Sequence, residues 1–193
     1  MPQIFDRLGR DKVREQLLET GFQLIKLHGL RKTSVADIAK NAGIATGTFY
    51  NFFQNKEEFI YQIVLYKRQI AKESFEALIH NGKVDKHAFR EYLRMVYLSD
   101  SNLFDYMNEG EIAMLNARWP EEYWKNAESD EVTTKQFLEH LEGVSPACDW
   151  KVFSNLSKSI SLIRYGRMRL HQDKYEETID IYLDSIIRYV FGG

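Results

Sequence analysis

Cysteine occurs once in the 193 residues, as Cys148, and proline three times, as Pro2, Pro120 and Pro146. One cysteine excludes an internal disulfide and any zinc site built on cysteine pairs, and suits a reducing compartment. So few prolines leave long stretches free to be helical, because an interior proline costs a helix about 3 kcal/mol. No apolar stretch approaches the roughly 20 residues that span a bilayer. The opening MPQIFDRLGRDK holds no apolar run that could act as a secretory signal, so the chain is expected in the cytoplasm. Enzyme motifs are missing too. There is no G-x-S-x-G and no Walker-type phosphate loop. His28, His80, His87, His140 and His171 are scattered, and none forms a paired metal site. Glu139-His140 with Glu142 is the nearest thing to one, and a solvated helix face explains it better. No metal and no cofactor are expected.

The net charge of -2 is unevenly placed. Residues 1–56 carry nine Lys/Arg against five Asp/Glu, and the remainder 17 against 23. A basic first part before an acidic remainder suits a polyanion partner for the first part alone, although chance also produces such a split.

Apolar periodicity is helical throughout, with no run of alternating β-branched residues. A first helix from about Asp11 to His28 aligns Val13, Leu17, Gly21, Leu24 and Ile25, and Gly29 would end it. Ser34-Val-Ala-Asp37 fits a capping box that opens a second helix, which stops at Gly43. A third runs from about Thr46 to Phe53. Asn55-Lys56-Glu57-Glu58 starts a fourth, with Phe59, Ile60, Ile63 and Val64 on its buried side. Asn81-Gly82 marks a turn. Further helices are expected over about Lys86–Leu98, Asn102–Ala117, Val132–Leu141, Asp149–His171 and Tyr175–Val190, with another element at Pro120 and a loop over Gly143–Asp149.

The segment Ser34–Phe53 reads SVADIAKNAGIATGTFYNFF. Two short helices flank Gly43, with apolar Ile44 just after it, which is the helix-turn-helix pattern. Ala39 must be small where the second helix crosses it. Gly43 permits the tight turn, and Ile44 and Phe49 fill the space beneath. The second helix can then lie in a major groove.

This string resembles the TetR family of bacterial transcriptional regulators. The likeness runs from about Leu17 to Phe59 and includes Gly21, Gly29, Ser34-Val35, Asp37-Ile38-Ala39, Ala42-Gly43-Ile44, Gly47-Thr48-Phe49-Tyr50, Phe53 and Lys56-Glu57-Glu58-Phe59. The resemblance implies an all-α fold, a three-helix head at 1–55 that binds double-stranded DNA, and a helical bundle at 56–193 for ligand binding and dimerisation. Ser34 would cap its helix beside a phosphate, with Val35 and Ala36 at the groove edge. Ala45, Thr46, Gly47, Thr48, Tyr50 and Asn51 would form the reading face. Lys56 would meet a phosphate at a helix N-terminus. Tyr50 matches the family's phosphate-contacting tyrosine, although packing is an alternative. Asn51 could bond adenine N6 and N7 together. Phe49, Phe52 and Phe53 suit core packing. Two departures stand out. Ala45 replaces the usual Ser or Thr cap, and Ala36 stands where some relatives carry a long base-reading side chain. Affinity would then lean on backbone amides and on Lys12, Arg31, Lys32 and Lys40, each of which could also be an ordinary surface charge.

Beyond residue 60 no motif is diagnostic. Val152, Leu156, Ile160 and Ile163, and then Ile179, Leu183, Ile186 and Val190, recur at helical spacing. A dimer seam and an intramolecular core need the same pattern, and the resemblance favours the seam. The middle is rich in aromatics and methionines. Tyr92, Met95, Phe104, Met107, Met114, Trp119 and Phe137 are candidate walls of a pocket for an apolar or aromatic effector, and Tyr97, Tyr106, Tyr123 and Trp124 extend the group. Ordinary core is the commoner role for any one of them. Arg90, Arg94, Glu109 and Glu111 could orient a polar ligand or face water.

The expectation is therefore a homodimeric repressor of the bacterial cytoplasm and nucleoid. It would bind a palindromic operator, and a small effector would release it by moving the fourth helix through Phe59 and Ile63. Two rivals stay open: a regulator without a small-molecule effector, including an activator, and an enzyme that borrowed the head.

Overall fold

A computed structural model of the chain describes residues 7–119 and 127–193. Pro120, Tyr123 and Trp124, and with them the element expected at Pro120, lie outside the described residues. Among these residues there are helices and turns but no strand; two isolated backbone bridges pair His80 with Lys83 and Val84 with Leu141. The helices are α1 (Arg7–His28), α2 (Val35–Asn41), α3 (Thr46–Phe49), α4 (Lys56–Glu76), α5 (Lys86–Leu98), α6 (Glu109–Arg118), α7 (Ala127–Glu139), α8 (Trp150–Tyr165) and α9 (Tyr175–Phe191). Short 3-10 turns cover Leu103–Tyr106, Arg167–Arg169 and Gln172–Lys174.

Contacts gather these elements into two compact units. One comprises residues 1–70 and 101–120, the other 71–100 and 121–193. The first half of α4 belongs with the head because Phe59, Ile60 and Ile63 are buried there.

The first unit closes over α1, α2, α3 and the start of α4. Leu17, Leu18, Phe22 and Ile25 of α1 meet Ile38, Ala39, Phe49, Phe53, Phe59 and Ile63, all buried. Phe49, Phe53 and Phe59 form a triangle of rings with centroids 4.8–5.2 Å apart. At these spacings aromatic pairs contribute beyond the area they bury. Gly21 is required where α1 crosses this triangle, since an added Cβ would overlap the Phe59 ring. Gly29 ends α1 at φ 80°, a conformation that favours glycine.

The segment expected as one helix over 102–117 is broken. Asn108 stops the preceding 3-10 turn and opens α6 through a reciprocal capping box with Glu111. The Asn-x-x-Glu spacing was visible in the sequence, but an uninterrupted apolar stripe concealed it. Similarly α8 ends at Gly166 rather than near His171, and α7 starts five residues earlier than the apolar pattern suggests.

The second unit is built on α5 against α9, with α7 and α8 alongside. Its core includes Phe75, Phe89, Leu93, Phe153, Ile160, Ile179, Leu183, Ile186 and Val190. Outside that core, Arg90 pairs with Asp184 at 2.7 Å, and Arg94 with Asp180 at 3.0 Å and Glu176 at 3.2 Å. The buried Arg164 guanidinium donates to the carbonyls of Val96, Tyr97 and Ser99. A cation thus meets the C-terminal end of α5, where carbonyls lack helical partners and the dipole is negative.

The stripes expected as a seam on the last two helices face the interior of this chain. Ile160, Ile179, Leu183, Ile186 and Val190 are buried by the chain's own core, and Leu156 and Ile163 pack against it. A side chain with no accessible surface in one chain has none to offer a second. The periodicity was real, but it described the inward face of each helix.

Candidate nucleic-acid interface and cavity

The head positions its outward residues through two different helix starts. At α2, Ser34 is extended at φ -94°, ψ 160°, and its hydroxyl accepts from the Asp37 N–H at 3.1 Å. The Asp37 carboxylate accepts in return from the Ser34 N–H at 3.1 Å and from its hydroxyl at 2.5 Å. These bonds, the side-chain one foremost, hold the Asp37 carboxyl below its usual range. At α3, Ala45 occupies the cap position without a side-chain hydrogen bond. The first N–H groups of α3 therefore lack the acceptor that a Ser or Thr would supply.

α3 itself spans only Thr46–Phe49 and continues as tightened turns. The Asn51 and Phe52 N–H groups donate to Thr48 and Phe49 three residues back, at 3.1 and 3.0 Å. The expected helix to Phe53 is thus shorter, because Phe53 turns inward to join the ring triangle. Ile44 is half-buried behind the turn, its N–H donating to Ala39 at 3.0 Å, and Gly43 adopts φ 70°.

On this frame Ser34, Ala36, Ala45, Thr46, Gly47, Tyr50 and Asn51 are exposed, while Val35 and Thr48 are half-buried. Tyr50 keeps 54% of its surface accessible although its ring also meets Phe49 edge-on at 5.5 Å. The two readings of Tyr50 are therefore compatible, with the ring base packed and the hydroxyl end outward. Lys12, Arg31, Lys32 and Lys40 of the head are exposed as well. Lys56, the first residue of α4, is half-buried, and its ammonium donates to the Leu30 carbonyl at 2.7 Å. Burial lowers its pKa, opposed by Glu57 and Glu111. Its bond to Leu30 ties α4 to the loop before α2, a role the sequence pattern did not disclose.

The loop is held from a second side. The Arg31 N–H donates to Glu111 of α6 at 3.2 Å. Nearby, the Trp119 indole N–H donates to the Glu57 carbonyl at 3.1 Å, Arg118 pairs with the Glu57 carboxylate, and Tyr106 meets the Phe22 ring edge-on at 6.1 Å.

The second unit contains a cavity of about 250 Å³ between α5, α7 and α8. Tyr92, Tyr97, Phe137 and Phe153 supply its aromatic wall, and Thr134, Ser154, Ser157 and Lys158 a polar one. Burial pushes the Tyr92 hydroxyl up to about 12, so it stays protonated, and it donates to the Ala71 carbonyl at 3.1 Å. Of the seven residues expected to line a pocket, Tyr92 and Phe137 do so. Met95 is about half exposed on α5, and Phe104, Met107, Met114 and Trp119 belong to the first unit. Arg90 and Arg94 are engaged with the acids of α9, and Glu111 with its cap and Arg31. Among the described residues no cluster of three His, Cys, Asp or Glu is placed to hold a metal ion, and no helix is long and apolar enough to cross a membrane.

The family model for bacterial regulatory proteins of the tetR family matches residues 17–63, the span that builds the head and the start of α4. The head is of the TetR type over that span. Its head is 44% identical over 46 residues to the uncharacterised HTH-type transcriptional regulator YvdT of Bacillus subtilis, covering 24% of each chain. It is 38% identical over 63 residues to the HTH-type transcriptional repressor KstR2 of Rhodococcus jostii, covering 33% of this chain and 31% of that one. The matches thus span about a quarter to a third of the curated relatives. The fold extends further. A transcriptional regulator from Rhodococcus sp. Rha1 superposes with a TM-score of 0.67 at 16% identity, over 93% of this chain and 96% of that one. The fatty acid degradation regulator FadR from Bacillus halodurans does so at 0.62 and 18%, over 93% and 95%. The chain therefore shares sequence with these relatives in the head and shares the all-helical architecture of these structures along most of its length.

Proposed function

We propose that this TetR-type chain is a homodimeric, effector-responsive DNA-binding repressor, with residues 1–55 as the DNA-binding part and 56–193 for ligand binding and dimerisation. The observation that carries the reading is the exposed, uncharged face of Thr46, Gly47, Tyr50 and Asn51 over a fully closed core, with Lys12, Arg31, Lys32 and Lys40 exposed on the same head. Such a face offers hydroxyl, amide and backbone groups to base edges and phosphates, while the cations neutralise the backbone. Two heads would enter successive major grooves about 34–36 Å apart on a palindrome.

Dimerisation falls to the outward faces of the last two helices. Leu162 of α8 and Ile181 of α9 are 72% and 61% exposed, and Val152 and Tyr182 are also accessible. On α9, Thr178, Ile181, Tyr182 and Ser185 form a stripe free of charge, away from the buried stripe. An effector in the cavity would touch Phe137, which stacks on Phe75 at 3.8 Å. Phe75 lies on α4, the helix that also carries Phe59 and Ile63. An effector acts in this scheme only through unequal affinity for two states, typically a coupling of about 1–3 kcal/mol.

Footprinting the purified protein on DNA flanking its own gene tests the reading. The expected result is a protected palindrome, lost in Tyr50→Ala while far-UV circular dichroism is unchanged. A folded protein that protects no flanking DNA overturns it.

A further inference from the structure

We propose that Arg10 of α1 is a positioning residue for base reading by Asn51, an inference that rests on the DNA-binding reading above. Its guanidinium donates to the Asn51 carbonyl at 3.2 Å, across 41 positions of sequence. The same group lies over the Phe52 ring, 5.5 Å from the centroid. One turn along α1, Arg14 repeats the arrangement. It lies over the Phe53 ring at 5.8 Å and donates to the Gln62 side chain of α4 at 2.5 Å. Residues four apart share one face of a helix, and a planar guanidinium suits an aromatic face. α1 thus brings two cations against the end of the reading segment.

That segment needs outside support. α3 has four residues, and Ala45 gives it no side-chain cap. A helix so short does not hold itself in water, so tertiary contacts fix its position. Phe49 and Phe53 anchor its inward side in the core. Asn51 lies beyond the last residue of α3, in a turn closed by its own N–H on the Thr48 carbonyl at 3.1 Å. Its carbonyl belongs to the stretch where the chain leaves for α4, and among the described residues no backbone N–H reaches it. Carbonyls past the end of a helix favour a cationic donor. Arg10 supplies that donor.

The consequence concerns sequence preference. A hydrogen bond from an amide to a base edge holds only over about 2.7–3.2 Å. An Asn paired to adenine by two such bonds discriminates about tenfold or more against a wrong base. A backbone free to drift by about an ångström at Asn51 forfeits one of them. Arg10 is itself exposed, so its removal opens no core. A surface arginine without a role would turn to water rather than to a carbonyl of the reading segment. One that only met a phosphate would strengthen binding to every sequence alike.

The experiment is a fluorescence-anisotropy titration of the full chain on two duplexes: the one protected in footprinting, and one of the same composition in scrambled order. Arg10→Met should leave circular dichroism unchanged and lower the ratio of the two affinities about tenfold. Asn51→Ala should lower it by a similar factor. The double variant should lose no more than either single one, because both changes remove the same contact. Arg10→Gln, whose amide stops short of the carbonyl, should match Arg10→Met. A ratio unchanged in Arg10→Met or in Asn51→Ala, or losses that multiply in the double variant, overturns the proposal. So does an equal fall on both duplexes with a salt slope shallower by about one, the mark of a phosphate contact. Loss of folding in both arginine variants overturns it as well, since Arg10 would then hold the head together. A ratio insensitive to Arg10 in a chain that still protects its palindrome sinks this inference alone. An unaltered, folded chain that protects no DNA sinks the regulator and this inference with it.

Discussion

Glu111 of α6 accepts a hydrogen bond from the backbone N–H of Arg31, 80 residues earlier, at 3.2 Å. Its second oxygen accepts from the Asn108 N–H at 2.9 Å, so one carboxylate closes a helix cap and holds the loop that leads to Ser34. At 8% exposure it has little water to fall back on. Glu111→Ala leaves two amide donors without their acceptor, at a cost of about 1–3 kcal/mol where such groups are desolvated. Thermal unfolding should show that loss. Footprinting should show weaker protection at the phosphates flanking the site, with contacts made by Tyr50 and Asn51 least affected. Unchanged stability and affinity in Glu111→Ala would remove this carboxylate from the argument.

The pH response of the head follows from Asp37. Its folded-state pKa is depressed, chiefly by the Ser34 hydroxyl, below the ordinary 3.8. A depressed carboxylate contributes stability that is present above its unfolded pKa and disappears as pH falls through the folded one. The melting temperature of the unaltered protein should therefore exceed that of Ser34→Ala at neutral pH. The gap should narrow as the solution is acidified below about pH 4, leaving the share that the Ser34 hydroxyl contributes by accepting from the Asp37 N–H. A gap that stays constant down to pH 2 would mean that the capping box contributes nothing through charge. The carboxylate is fully exposed, so added salt should narrow the gap as well.

Gly21 supplies a test of the packing beneath the reading face. Alanine is the better helix former by about 1 kcal/mol, so on propensity alone Gly21→Ala would stabilise α1. Its methyl would instead overlap the Phe59 ring, which is wholly buried within the aromatic triangle and has no free space to enter. Overpacking of this kind costs about 1–3 kcal/mol. A lower melting temperature is expected, and a higher one would show that Phe59 can yield.

The head was legible in the sequence because its constraints are local and numerous. Gly43 marks a turn, Ser34 and Asp37 mark a cap, and Phe59, Ile60, Ile63 and Val64 mark one helix face, and each lands where its pattern puts it. What stayed hidden depends on partners far along the chain. Glu111 reaching Arg31, Lys56 reaching Leu30 and Arg164 reaching the end of α5 join residues 26 to 80 positions apart, and no spacing rule encodes them. The cavity was half-hidden for the same reason. Tyr92 and Phe137 were visible as aromatics, but the serines of α8 carry no signal until a helix and its neighbours are placed. The stripes of the last two helices pose a different problem. A heptad-like stripe reports that a face is buried, not by which chain, and the outward stripe of α9 mixes hydroxyl with apolar side chains, so its hydrophobic pattern is weak.

That distinction gives the sharpest prediction about assembly. Ile181 points away from the core of the second unit, whereas Leu183, two residues on, is fully buried within it. Ile181→Glu adds a charge to an accessible surface and should leave folding intact. If that surface pairs two chains, the charge is carried into an apolar seam without a partner, which association cannot sustain. Sedimentation should then show a monomer with unchanged circular dichroism and DNA protection reduced to a weak half-site. Leu183→Glu places the same charge inside one chain and should instead abolish folding at any concentration. A dimer that persists in Ile181→Glu and in Leu162→Glu would mean that the chains pair elsewhere. An Ile181→Glu chain that unfolds would mean that this face is needed within the chain itself. The two variants thus separate the inward stripe from the outward one by experiment, which periodicity alone could not do.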